Sequence, residues 1–174
     1  MKEINAGIIG FGNMGAALYE RLKRVCSLQV YDKEIARTFG VPSVDVARTF
    51  DDLLKKSDVI ILAVKPQDFE EVIKHVKFDV QEKLVISIAA GTTTGFIEQR
   101  LGDVQVVRVM PNIAAKIGKG MSCLCKGKTA TDWNLSLADL ATSRKVNIGR
   151  WFGVMLSWWQ QDLFSGLIIP LWGC

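Results

Sequence analysis

The sequence predicts an α/β protein with a doubly wound, mostly parallel sheet, followed by an irregular tail rich in tryptophan. Three observations carry that reading. Strand and helix patterns alternate from Ala6 to Cys125, and parallel neighbours need helical crossovers to join them. The run "DVIILAV", Asp58 to Val64, is continuously apolar and β-branched, as a strand covered on both faces must be. A glycine cluster, "GIIGFGNMG" (Gly7 to Gly15), lies between the first strand pattern and the first helix pattern.

The elements follow in order. Ala6 to Ile9 reads as a short buried strand. Met14, Ala17, Leu18, Leu22 and Val25 fall at helical spacing just after the glycines. Leu28 to Tyr31 is strand-like. Ile35, Ala36 and Phe39 predict a short helix stopped at Gly40, and Phe50, Leu53 and Leu54 another. After the strand at 58–64, Phe69, Val72, Ile73 and Val76 form the next helical stripe. Leu84 to Ile88 is strand, and Phe96, Ile97 and Leu101 mark a helix that Gly102 closes with a left-handed residue. Val104 to Val109 and the shorter Met121 to Cys125 are the last strands. All five Trp residues lie from Trp133 onward, and no clean alternation continues past Ala141. The expected division is therefore a dinucleotide-binding domain over residues 1–132 and an aberrant or truncated tail over 133–174.

Composition narrows the function classes. The net charge of +4 is small and scattered, with no Lys/Arg block longer than two residues, which argues against a nucleic-acid partner. No uncharged apolar run reaches membrane-spanning length and the start lacks the apolar core of a signal peptide. Cys123 and Cys125 would share one strand face, but their spacing is not that of a zinc or redox pair. No metal site is expected, and a reduced, cytoplasmic setting is the plain reading.

Gly10, Gly12 and Gly15 spell G-x-G-x-x-G between a strand and a helix, the Rossmann-type arrangement. The first glycine allows the tight turn, the second lets backbone approach a pyrophosphate, and the third lets helix and strand pack closely. The helix that follows offers free N–H groups and its positive dipole end to the phosphates. Asp32 ends the second strand where an acid can reach an adenosine ribose. Asp32 would accept from a free 2′-hydroxyl, favouring NAD; Lys33 and Arg37 could neutralise a 2′-phosphate, favouring NADP. "AVKPQ", Ala63 to Gln67, follows the apolar strand on the ligand edge; Pro66 stiffens it and Lys65 can reach an anion. "SIAAG" and "RVMPN" follow the next two strands.

Together, GxGNMG, SDV…AVKPQ, SIAAG and RVMPN, in this order over about residues 4 to 132, resemble pyrroline-5-carboxylate reductase. The resemblance implies hydride transfer from NAD(P)H to the C=N bond of pyrroline-5-carboxylate, giving proline, with NADP slightly preferred over NAD. It implies cofactor contacts from Ile9, Gly10, Phe11, Gly12, Asn13 and Met14, from Ala63, Val64, Lys65 and Pro66, and from Ile88, Ala89 and Ala90, beside Gly15, Asp32 and Lys33 read from the glycine motif itself. It places Asn112 near the nicotinamide. Two departures stand out: Ile113-Ala114 replaces the family's Thr-Pro, and Phe50 stands where an Asn is common, which implies a weaker adenosine-side contact. The implied partner is a small-molecule imine. A different reductase of the same fold, or a dinucleotide-binding module without catalysis, is the alternative.

His75, the single histidine, is expected on an exposed helix face. Glu70 and Glu71 with Lys74 read as helix-surface ion pairs, and Ser122 and Thr129 have no base nearby in sequence. Cys26 is expected to pack at the end of the first helix. No residue stands out as a general acid. The tail lacks the GKYWEV, DAV and Gly-Pro stretches that lead into the family's helical dimerisation domain, so the family's homo-oligomer is not expected of this chain. Read from the third base of each codon, Ser143 to Leu163 permits K-K-G-K-Y-W-E-V-V, then D-A-V and V-A-A-G-P. The expectation is a departure from the family's frame near Leu140; the alternative is a genuine, unusual tail. Without a domain to bury it, the apolar tail favours aggregation, and turnover is expected to be poor or absent.

Overall fold

The computed structural model describes residues 4–76, 80–111 and 122–142. Six strands form one sheet: β1 (Asn5–Ile9), β2 (Ser27–Tyr31), β3 (Val59–Leu62), β4 (Leu84–Ser87), β5 (Gln105–Pro111) and β6 (Ser122–Lys126). Their order is β2-β1-β3-β4-β5-β6. All pairings are parallel except β5 with β6, which run antiparallel with Met110 opposite Cys123. The chain starts in the sheet at β1, steps outward to β2, then crosses back to β3 on the other side of β1. The winding direction therefore switches between β1 and β3, where a doubly wound sheet opens a crevice beyond the strand ends.

The helices are α1 (Asn13–Leu22), α2 (Phe50–Lys56), α3 (Pro66–Val76), α4 (Thr94–Leu101) and α5 (Asp132–Thr142). Side-chain alternation divides the core between the sheet's two faces. Ile8, Val30, Ile61, Ile86 and Val107 pack with Leu18, Tyr19 and Leu22 of α1 and with Ala138 and Ala141 of α5. Ile9, Ile60, Leu62, Val85 and Val106 pack with Leu53 and Leu54 of α2, Phe69 and Ile73 of α3, and Ile97 of α4. β3 is buried at every position, as its unbroken apolar run requires. α2 is capped by Thr49, whose side chain accepts from the Asp52 N–H at 3.1 Å. α4 is capped likewise by Thr93, which accepts from the Phe96 N–H at 3.1 Å. Gly102 closes α4 at φ +82°, donating to the Glu98 carbonyl at 2.8 Å.

Some elements differ from expectation. α1 stops at Leu22 because the chain turns into β2, with the Val25 and Cys26 N–H groups both donating to the Leu22 carbonyl. Val25 is thus left 69 % exposed, whereas Cys26 packs against the core beside α1. The expected helix after β2 is a single 3₁₀ turn, Ile35–Thr38, with Ile35 and Phe39 facing solvent. Polar contacts hold it: the Thr38 hydroxyl donates to the Ile35 carbonyl and Arg37 pairs with Glu34. Glu70 pairs not with Lys74 but with Arg100 of α4, at 2.7 Å, because the α3 and α4 surfaces lie side by side.

The boundary expected after residue 132 falls in the first turn of α5. That helix belongs to the sheet: Asn134, Ala138, Ala141 and Thr142 are buried, and Arg21 of α1 donates to the Leu140 carbonyl at 3.1 Å. The rest of the expected tail, 143–174, lies outside the described residues. Among the described residues, no helix is long and apolar enough to cross a membrane and no cluster of three or more His, Cys, Asp or Glu could hold a metal ion.

Candidate functional site

The glycine turn is shaped by what side chains would hit. Gly10 has φ +94°, and a Cβ there would lie 2.6 Å from the Ala63 carbonyl oxygen of the neighbouring strand end. A Cβ on Gly15 would lie 2.1 Å from the Gly10 carbonyl oxygen. These two glycines let α1 and β1 close on each other and on β3. Gly12 is different: a Cβ there would meet nothing within 4 Å. It is the N-cap of α1, and no side chain caps that helix. α2 and α4 each begin on a capping threonine; α1 begins on open space. Uncapped N–H groups and a positive dipole end facing an open side are the makings of an anion site. The turn therefore fits a dinucleotide's pyrophosphate.

Behind the turn, Phe11 packs edge-to-face on Tyr19, with ring centroids 5.7 Å apart. The Tyr19 hydroxyl donates to Asp45 at 2.6 Å. Burial, reinforced by that hydrogen bond and by the Asp45 charge, pushes the phenol up to about 12. The Phe11 N–H donates to Asp32 Oδ2 at 2.7 Å, and the Glu34 N–H to Oδ1 at 2.9 Å. The Asp32 side chain is only 4 % exposed. Its first task is therefore to lock the glycine turn to the end of β2, which leaves one lone pair on each oxygen for any further donor.

A cleft of about 230 Å³ opens beside this turn at the switch point, lined by the ends of β1, β2 and β3 and by α2 and α3. It brings together Ile9, Gly10, Gly12, Asp32, Lys33, Ala63, Val64 and Lys65 of the expected site. Lys33 reaches across from β2 to Asp68 of α3, 2.7 Å away. That hydrogen bond and charge hold the Lys33 ammonium above, and the Asp68 carboxyl below, their usual ranges. Arg37 pairs with Glu34 at 2.8 Å and stands 3.8 Å from Asp32.

Other expected residues sit around rather than in the cleft. Phe11 and Gly15 are buried behind it, Asn13 is exposed on the first turn of α1 beside Met14, and Pro66 opens α3. Ile88, Ala89 and Ala90 follow β4, one strand further along, where the Ile88 N–H donates to the Leu62 carbonyl at 3.1 Å. Asn112, like Ile113 and Ala114, lies outside the described residues. The Thr129 hydroxyl donates to the Val104 carbonyl and that of Ser122 to the Thr142 carbonyl, so both act as backbone ties. The cleft also contains Phe50, the departure expected on the adenosine side, and residues not expected there from sequence: Tyr31, Asp68, Glu71, Val72 and His75. Phe50 stands edge-to-face against Tyr31 at 5.5 Å and against the His75 ring at 6.0 Å.

Comparison with known proteins agrees with this geometry. A family model described as "NADP oxidoreductase coenzyme F420-dependent" matches residues 5–91. A pyrroline-5-carboxylate reductase of Methanosarcina acetivorans is 37 % identical over 152 residues, covering 79 % of this chain and 55 % of its own length. The chain thus spans about half the length of that relative. A Streptococcus pyogenes 1-pyrroline-5-carboxylate reductase structure superposes with a TM-score of 0.66 at 28 % identity, covering 83 % of this chain and 58 % of that one. The Plasmodium falciparum pyrroline carboxylate reductase, solved with NADP bound, shares the fold with a TM-score of 0.69 at 23 % identity, covering 83 % of this chain and 57 % of that one.

Proposed function

The chain belongs to the family described as NADP oxidoreductase, coenzyme F420-dependent, and its described residues form a domain of pyrroline-5-carboxylate reductase type; from that premise we propose that it is the cofactor-binding part of an NAD(P)H-dependent reductase that converts pyrroline-5-carboxylate to proline. The observation that carries the reading is the open side of Gly12 at an uncapped helix start, between two glycines that pack too closely for any side chain.

In this reading the α1 N-terminus and Gly12 hold the pyrophosphate. Gly10 and Gly15 keep the turn tight enough to present it. Asp32 takes a ribose hydroxyl with the lone pairs its backbone partners leave, and Lys33 and Arg37 stand where a 2′-phosphate would come. Ala63 to Pro66 border the path from the pyrophosphate toward the nicotinamide, and Ile88 to Ala90 with Asn112 flank the nicotinamide itself. Bound there, the reduced nicotinamide would supply a hydride to the carbon of a small-molecule imine's C=N bond, whose nitrogen takes up a proton from solvent. The chain's own contribution is to hold the cofactor and fix its orientation, since hydride transfer requires donor and acceptor in near-contact.

The cofactor domain extends, in this reading, through α5 to Thr142, and the residues beyond it depart from the family's frame. A cytoplasmic setting is part of this reading, and the family's homo-oligomer is not carried over to this chain. Calorimetric titration with NADPH and NADH tests the core of the proposal: saturable heat with at least one supports it, and none with either overturns it. Turnover of pyrroline-5-carboxylate by the same preparation separates a working reductase from a dinucleotide-binding module that does not catalyse. Rereading the coding DNA beyond codon 142 tests the tail: GKYWEV-like sequence in another frame supports the frame departure, and a closed frame overturns it.

A further inference from the structure

His75 is exposed on α3, as expected, and it also lines the wall of the cleft. Its Nδ1 is 2.8 Å from the carbonyl oxygen of Glu71, one turn earlier in the same helix. A carbonyl only accepts, so Nδ1 carries the proton and donates. In the neutral ring, Nε2 is then an acceptor with no proton of its own. The tautomer is set by the helix backbone.

The cleft wall beside His75 carries aromatic and apolar side chains together with Glu71. Phe50 meets the imidazole at 67° and Tyr31 at 84°, so three rings from α2, β2 and α3 stand at one end of the cleft. Val72 of α3 lines the same end. Tyr31 directly precedes Asp32 and Lys33, the residues placed at the adenosine ribose, and all three line the cleft. Flat apolar walls with a polar atom beside them suit a heterocyclic base: the walls take its faces and the polar atom reads its edge.

Adenine presents an amino group, a donor, at its 6-position; hypoxanthine presents a carbonyl oxygen, an acceptor, at the same place. A neutral Nε2 pairs with the first and faces the second without a hydrogen bond. We propose that His75 is the specificity-determining residue for the base of the cofactor, its Nε2 accepting from the adenine amino group while Phe50, Tyr31 and Val72 hold the ring. This assignment rests on the dinucleotide reading above.

The test compares NADPH and NADH with their hypoxanthine counterparts, deamino-NADPH and deamino-NADH, by calorimetry on the full chain. The unmodified chain is expected to bind the adenine form about tenfold more tightly, the upper range of one hydrogen bond's net contribution. His75→Phe is expected to bring that ratio to about one, mainly by weakening the adenine form. His75→Gln, which restores an acceptor at similar reach, is expected to recover part of the preference. An exposed helix position tolerates both substitutions, and an unchanged thermal midpoint confirms it. A ratio of one in the unmodified chain, or a preference that survives His75→Phe, overturns the assignment and leaves the reductase reading standing. Binding of none of the four dinucleotides overturns both.

Discussion

Two turns leave neighbouring strands at the switch point, and they work by opposite means. The β1–α1 turn acts through side chains that are absent. Gly10 and Gly15 admit carbonyl oxygens to distances that a Cβ would not tolerate, and Gly12 leaves open space at a helix start. The β3–α3 turn acts through side chains that are present. Pro66 fixes the first residue of α3, where its missing N–H costs nothing, and exposed Lys65 stands at the cleft. A substitution in the first turn is thus a packing problem set by rigid backbone. A substitution around the second is a charge problem, softened by solvent.

The sharpest way to break the comparison is Gly15→Ala. The added methyl would lie 2.1 Å from the Gly10 carbonyl oxygen, and backbone on both sides cannot yield as a side-chain tip can. The expected cost is about 3 kcal/mol or more, with dinucleotide binding lost; thermal unfolding and calorimetry read the two. Gly12→Ala, three residues away, is expected to separate them. Its methyl meets no protein atom within 4 Å, so stability should change by less than about 1 kcal/mol. Affinity for NADPH and NADH should nevertheless fall about tenfold or more, because the methyl occupies the space through which a pyrophosphate reaches the backbone. If Gly12→Ala binds normally, the open side of the turn is not the phosphate site.

The same contrast explains what the sequence made legible. The glycine turn, the buried strands and the loops after β3 and β4 are local: each motif folds within a few residues of itself, so spacing and residue type suffice. The aromatic end of the cleft is assembled from Tyr31, Phe50, Val72 and His75, which belong to three elements joined only by the winding order of the sheet. In sequence Phe50 was a departure from a pattern and His75 a surface residue; neither carries a local signal that the other is near. The 3₁₀ turn at Ile35–Thr38 shows the reverse failure. Its apolar spacing predicts a core-facing helix, but Ile35 is 76 % and Phe39 96 % exposed. There the loop's polar contacts hold the conformation, and Ile35 and Phe39 stay in solvent.

Support for the glycine turn is buried, and a titration should reveal it. Tyr19 backs Phe11 and donates to Asp45. Its folded-state pKa of about 12 lies above the ordinary 10.0. A raised pKa means that the neutral phenol's contribution is complete below the unfolded value and is lost as pH rises through the folded one. Stability should therefore hold up to about pH 10 and fall toward about pH 12. Tyr19→Phe should be less stable at neutral pH by about 1 kcal/mol and show a shallower alkaline loss. Denaturant midpoints across that range, with the ultraviolet titration of tyrosinate, check both. An identical alkaline slope in Tyr19→Phe would mean that the turn's backing does not depend on this hydroxyl.

Support for the second turn is solvated, and its removal should scarcely register in stability. Lys33 and Asp68 join β2 to α3 at 2.7 Å, but their side chains are 60 % and 28 % exposed, and ion pairs of that kind contribute little. Asp68→Asn should leave the thermal midpoint unchanged. It should instead release Lys33, which now spends its charge on Asp68, for an anion entering the cleft. Affinity for NADPH is then expected to rise by about two- to fivefold while that for NADH stays within error, and the gain should shrink as salt is added. A gain shared equally by both cofactors would place Lys33 at the pyrophosphate rather than the 2′-phosphate. A loss of stability as large as that of Tyr19→Phe would show that the β3–α3 turn, like the glycine turn, depends on its partner across the cleft, and the distinction between a packed turn and a charged one would fall.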